Sequence, residues 1–441
     1  MVKQAFLRAN IPFSFTDVDV FCENFTQKAE NDGWKKQALQ GNNLLKHINT
    51  SFAHNVVGFS KACDNLTFVI HLDDPNNPTI KHHYPTTISQ LQVYCFDTGI
   101  GFFTFHIPYK DVDDSVIINT CPVLHSSAHQ KSGNQGIPLT KENVQTYLSN
   151  IAAENLAVLF DEGFLLFPTL NEISLRRINM FSAGLCEKND DNRANTKLCY
   201  CLANAYDNRE KSFVEDENQF YHQQDYICWG FSKRGCAVVA NLTGLPINDQ
   251  FLTERWLSSV ESNYFYLYLL VLHEKFAIYN FLNDIAEDPD KSELKINQKA
   301  LLDFRSKHIF SIVSDEQHIQ RVYEKIKQAN NTDDLYPELI DQLQQMFDHT
   351  QYQSNKSNEL INRRISLISA AIGAVCSVSI IFDTADLFST RGYTLGFNSI
   401  GNMCFTGTII FEVVLFITVL ILVLCSNRNK KIKKSKRPQK S

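Results

Sequence analysis

Residues 365–382 (ISLISAAIGAVCSVSIIF) form an 18-residue run without a charge, and this run constrains the chain more than any other feature. As a helix it would be about 27 Å long, close to the hydrocarbon thickness of a bilayer. A second run, 403–425, has 23 residues and one ionisable side chain, Glu412. Charge is distributed to match. Residues 363–441 hold 11 Lys+Arg and 3 Asp+Glu, a net of +8, whereas the whole chain carries −6, so residues 1–362 carry −14. Arg363 and Arg364 precede the first run, and eight Lys/Arg follow the second. The positive-inside rule then predicts a two-helix transmembrane hairpin with both termini cytoplasmic. Its spans are 365–388 and 401–425, with a basic tail over 426–441.

Composition sets the remaining bounds. Aromatic content of 12% and charged content of 20% exclude a largely disordered chain, and 441 residues suggest two or three units. The first ten residues (MVKQAFLRAN) lack the apolar core of a signal peptide, so the long amino-terminal part is expected in the cytosol. The twelve cysteines are then expected as free thiols. Cys199, Cys201, Cys228 and Cys236 do not match a zinc spacing. Cys121, His125 and His129 recur every four residues, but Pro122 and Ser/Gly/Gln-rich surroundings favour a loop over a metal-binding helix.

Residues 1–250 read as an α/β domain. Runs at 66–72, 91–96 and 102–107 are β-branched and aromatic, and the last two flank Asp97-Thr98-Gly99-Ile100-Gly101, a hairpin signal. Residues 226–231 and 236–240 flank a second turn, and 116–119 reads as a further strand. Thr140 is a candidate N-cap for a helix from Lys141 to about Phe160. Residues 251–364 have helical apolar spacing with breaks at Asp288-Pro289-Asp290 and Asn330-Asn331, predicting helices over 252–287, 291–329 and 333–364. The third has no break before Ile365 and is expected to run on into the first apolar run. Residues 264–282 are apolar but interrupted by His273-Glu274-Lys275, which predicts a buried or oligomer-facing helix rather than a span.

An α/β domain, a helical hairpin, one long helix, two apolar runs and a basic tail: this order resembles the CorA family of divalent-cation channels. The resemblance implies a homopentamer in the plasma (inner) membrane, its first span lining an ion path. It also implies Mg²⁺ or another divalent cation as permeant or regulatory ion. The family's Gly-Met-Asn motif is missing, and the equivalent position falls near Thr384-Ala385-Asp386. CorA-like proteins without that motif include nucleotide-responsive membrane effectors of type III CRISPR defence, so the resemblance implies a ligand-gated channel. A divalent-cation uptake transporter and a non-conducting membrane scaffold are the alternatives.

The residues can be read physically in the same frame. Ser366, Ser369, Gly373, Ser377 and Thr384 fall on one small, polar helical face, a candidate pore lining or a close-packing face. Asp383 and Asp386 would form acidic rings that attract cations, or stand as solvated loop charges. Glu412 in mid-membrane would need pairing or protonation. Arg176 and Arg177 are the leading candidates for an anionic nucleotide ligand, with salt bridging as the bland alternative. Lys233-Arg234 in a turn is a weaker candidate. Asp97-Thr98-Gly99 matches the aspartic-protease triplet, but no second triplet exists and a tight turn explains it better. Without a P-loop, a G-x-G-x-x-G or an H-E-x-x-H, the expectation is a non-enzyme with no firm cofactor and no direct nucleic-acid partner.

Overall fold

A computed structural model describes residues 1–15, 20–73, 81–125, 141–160, 165–166, 178–187, 192–207, 218–242, 255–286 and 291–390. It also describes Phe213, Asp216 and most positions between 395 and 417. The chain divides into two compact units, Met1–Gln344 and Gln345–Ser441.

The first unit is built on one ten-stranded sheet. Its strands are β1 (Val2–Phe15), β2 (Lys35–Gln37), β3 (Val56–Asp73), β4 (Lys81–Phe96), β5 (Ile100–Val112), β6 (Leu165–Leu166), β7 (Asn179–Cys186), β8 (Phe220–Gln224), β9 (Ile227–Phe231) and β10 (Gly235–Asn241). The order across it is β2-β3-β4-β5-β1-β7-β10-β9-β8, with β6 beside the end of β1. Among the described residues the β7–β10 pair alone is parallel, and the other pairs are antiparallel.

Helices α1 (Glu23–Asn31), α2 (Lys46–Asn55), α3 (Asp114–His125), α4 (Lys141–Leu159) and α5 (Asn192–Asn204) are interleaved with the strands. After the sheet come α6 (Leu257–Ser259), a π-helical turn (Val260–Tyr264) and α7 (Phe265–Ala286). These are followed by α8 (Lys291–His308), α9 (Gln317–Asn330) and α10 (Thr332–Thr390).

Strand alternation sends each residue's side chain to the face opposite its neighbours' and so divides the core. Leu7, Ala9, Ile11, Leu91, Val93, Phe103 and Phe105 pack into one apolar cluster with Ile117, Leu124, Leu148 and Leu198 of α3, α4 and α5. The opposite face carries Phe96, Phe102 and Phe181, whose rings meet Phe265, Tyr268, His273 and Phe276 of α7, and Phe6, which stacks on Phe181. Helix α7 is therefore the buried helix expected at 264–282: Phe265, Leu267, Val271, Leu272 and Ile278 are fully enclosed.

Both expected hairpins form, β4–β5 and β9–β10. Two expectations on this unit fail. Residues 116–119 are helical within α3, because Ile117 and Leu124 complete a helical stripe against the sheet while Asn119, Thr120 and Cys121 are also enclosed. The helix expected over 291–329 is two helices. The chain leaves the helical path at 309–316, where Val313 and Ser314 are buried and the Leu45 N–H donates to Val313 O at 2.9 Å. That tertiary bond is invisible to helical periodicity.

The membrane architecture is corrected. Among the described residues no helix is long and apolar enough to cross a membrane, so the transmembrane hairpin over 365–388 and 401–425 is not supported, nor are the membrane and ion-channel descriptions drawn from it. The 365–382 run lies at the short end of the spanning range and includes four serines and a glycine. It continues without a break from a charged segment inside the single 59-residue α10. Of the second run, Glu412 and residues 418–425 lie outside the described residues.

Candidate functional site

The site begins with a departure from strand patterning. In β1 a charged residue interrupts an apolar run, AFLRANIPF, and Arg8 ends up 5% exposed. Sheet register sets Arg8 opposite His106 of β5, and His106 opposite Gln90 of β4, a polar row across three strands. Along β4, Leu91, Val93 and Cys95 enter the apolar cluster while Gln90, Gln92 and Tyr94 line the other face. These polar residues, with Gln37 of β2, Ser258 of α6, Glu261 and Ser262 of the π-helical turn and Tyr266 of α7, enclose an open cavity of about 280 Å³.

Its bonding centres on Glu261. The Arg8 guanidinium donates to Glu261 Oε1 at 3.2 Å, and His106 Nε2 lies 2.8 Å from the same oxygen. The Ser89 hydroxyl holds the other imidazole nitrogen at 2.8 Å. Burial alone would raise the Glu261 carboxyl, but the His106 bond and the Arg8 charge outweigh it and hold the group below the ordinary carboxylate range. Arg8 also lies over the Phe265 ring at 4.0 Å, an aromatic face that stabilises the buried cation. Along β4 the Tyr94 hydroxyl donates to Gln92 Oε1 at 3.0 Å, and Gln92 Nε2 donates to Gln90 Oε1 at 2.9 Å.

Two polar atoms of lining residues are buried without a hydrogen-bond partner among the described residues: Arg8 Nε, a donor, and Gln37 Oε1, an acceptor. The extra residue that widens a helix into a π turn here presents Glu261 to the cavity, and such turns recur at functional sites.

A second polar cluster lies at the β4–β5 turn. Asp97 Oδ1 is 2.6 Å from His308 Nε2, and Thr98 Oγ1 is 2.7 Å from His273 Nε2. Lys307 also reaches Asp97, at 3.4 Å. Asp97 thus faces cationic or imidazole groups and not a second carboxylate, and Gly99 at φ +79° makes the turn. Asp97-Thr98-Gly99 is structural. Burial, and then the nearby His308, keep the His273 imidazole well below its usual range. Among the described residues no group of three or more His, Cys, Asp or Glu is placed to hold a metal ion.

The residues singled out in the sequence are not among those that line the cavity. Arg176 and Arg177 fall outside the described residues, as do Glu412 and His129. Ser366, Ser369, Gly373, Ser377, Thr384, Asp383 and Asp386 all sit on α10; Ser366, Ser369, Gly373, Asp383 and Asp386 are exposed, and Asp386 O accepts from the Thr390 hydroxyl at 2.8 Å. Cys121 and His125 are on a helix and not in a loop. Their side chains bond to Leu202 O and Ile178 O, at 3.4 and 2.7 Å. Arg234 donates to Asn204 O at 3.0 Å and stacks over Tyr206. None of the candidates among the described residues lines the cavity. Two signals pointed to it: the charged residue in the β1 apolar run, and the Gln-x-Gln-x-Tyr alternation in β4.

Fold and site together define an α/β protein with a polar cleft on one sheet face, closed by a π-helical turn. No protein-family model, curated protein or solved structure matches this chain.

Proposed function

We propose that this chain is a ligand-binding sensor whose α/β unit takes a small polar molecule into the Arg8–Glu261 cavity. The observation that carries this reading is the polar lining of that cavity, where Gln90, Gln92, Tyr94, Ser258 and Ser262 bring amide and hydroxyl groups beside the Arg8–Glu261 pair. Arg8 and Glu261 neutralise each other, so the cavity suits an uncharged ligand rich in hydrogen-bonding groups, of nucleoside or sugar size, better than a polyanion.

The role is binding and not catalysis. Ser89 and Glu261 clamp the His106 imidazole on both nitrogens, so it is not free to activate the Ser258 and Ser262 hydroxyls that line the cavity. Readout has a physical route. Glu261 belongs to a turn continuous with α7, and Glu274 of α7 meets Lys327 at 3.5 Å, which in turn holds Asp333 in the first turn of α10 at 2.7 Å.

The test is calorimetry of the full chain against a panel of nucleosides and neutral sugars. Binding by one class is expected, weakened about tenfold, or ~1.4 kcal/mol, in Arg8→Met. Affinity unchanged by Arg8→Met, or no binding by any member of the panel, would refute the reading.

A further inference from the structure

Far from the polar cavity, three chemistry-bearing side chains meet at the sheet edge. Strand register sets His222 of β8 directly opposite Cys228 of β9. Helix α5 crosses the same place and contributes Cys199, whose thiol donates to Cys228 O at 3.3 Å and to Ala237 O at 3.4 Å. The close approach needs Gly230: a Cβ there would lie 3.0 Å from Cys199 O and 3.1 Å from its sulfur. The Cys199 thiol thus lies against the Cys228 residue itself, and the Cys228 thiol lies 3.8 Å from Trp229 O. Cys199 is fully enclosed, Cys228 is 5% exposed, and His222 opens to solvent on the edge strand.

We propose that Cys228 and Cys199 form a peroxide-responsive dithiol site, with Cys228 as the attacking thiolate and Cys199 as the resolving thiol. The Cys228 thiolate attacks one oxygen of hydrogen peroxide. The O–O bond breaks, hydroxide leaves and takes up a proton as water, and Cys228 becomes a sulfenic acid. The Cys199 sulfur then attacks the Cys228 sulfur, its thiol proton leaves with the hydroxyl as a second water, and the S–S bond forms. Two thiols are oxidised by two electrons and one peroxide is reduced to two waters.

The local environment separates the roles. The Cys199 bond lowers the Cys228 thiol most, burial opposes it, and His222 lowers it further, to about 6; burial drives Cys199 well above the ordinary thiol range. A thiolate beside a protonated thiol is the starting state the exchange requires. Cys95, Cys121 and Cys236 are each raised by burial and stay as thiols.

The experiment treats the native full-length protein with one equivalent of hydrogen peroxide and maps the cysteines by mass spectrometry after alkylation. The expected product is a Cys199–Cys228 linked peptide that dithiothreitol reverses. In Cys199→Ser the expected product is instead a dimedone-trapped sulfenic acid on Cys228. Because that variant packs in a tight site, wild-type alkylation with substoichiometric iodoacetamide at neutral pH supplies a second measurement: Cys228 should react ahead of Cys121 and Cys236. Oxidation confined to Cys63 or Cys404, or Cys228 reacting no faster than the other buried thiols, would overturn the proposal.

Discussion

Replacing Glu261 by Gln removes a charge from a bond of 3.2 Å to a guanidinium whose side chain is 6% exposed. At an effective dielectric of about 20 the attraction at that distance is about 5 kcal/mol before desolvation. Glu261 is 33% exposed, so solvent screens part of it, and the desolvation of both ions offsets more. A net loss of about 2–3 kcal/mol follows, less than the ~3–5 kcal/mol of a wholly buried broken pair. The assay is urea unfolding of wild type, Glu261→Gln, Arg8→Met and the double variant at constant m-value. Arg8→Met removes the other charge at similar volume, so the double variant should recover about 1.5–2.5 kcal/mol relative to additivity. Glu261 stands below its ordinary range in the fold. Its stabilisation is therefore present above the unfolded carboxylate value, about 4.3, and is lost as pH falls through the folded value. Additivity within about 0.5 kcal/mol would refute the idea that the two charges act as a pair.

Three further predictions concern the frame around that cavity. Glu274 is almost fully enclosed, and burial pushes its carboxyl up to about 7 despite Lys327, whose ammonium also serves Asp333. The folded state thus keeps this proton longer than the unfolded chain, so stability from the group is full below the unfolded value, about 4.3, and is lost as pH rises from there through 7. Glu274→Gln should match wild type near pH 4 and exceed it near pH 8 by up to about 3 kcal/mol, read from urea midpoints; equal gains at both pH values would contradict the assignment. Gly99→Ala places a Cβ 2.6 Å from Phe15 O at a positive φ, so a loss of about 1–3 kcal/mol is expected in thermal or urea unfolding, and a neutral result would show that the turn relaxes freely. Thr98→Val strips the buried His273 of its Nε2 partner while Nδ1 has none among the described residues, which should cost about 1–3 kcal/mol; a midpoint shift below about 0.5 kcal/mol would refute it.

Local patterns in the sequence determined what local physics controls. Alternation in β4 and β5 with a Gly-containing turn between them specified a hairpin, because strand period and turn geometry are short-range properties. The buried character of α7 was legible from mid-helix charges that would be costly in lipid, and the continuity of α10 from the absence of Gly or a turn cluster between Asp334 and Ile365, Pro337 falling near its start. The 365–382 run misled because length and lack of charge are necessary for a membrane span and not sufficient. Residues 116–119 misled because three or four β-prone residues in a row do not show what they pack against. The site itself lay beyond such patterns. Arg8, Gln37, Gln92, His106 and Glu261 are scattered over more than 250 residues, and only strand register and the π-helical turn bring them to one cavity. The same holds for Cys199 and Cys228, whose meeting depends on a helix crossing a strand at a glycine. Sequence spacing encodes which residues share a face of one element. Which faces meet is decided by burial of the whole sheet between its helices, a property that no local window contains.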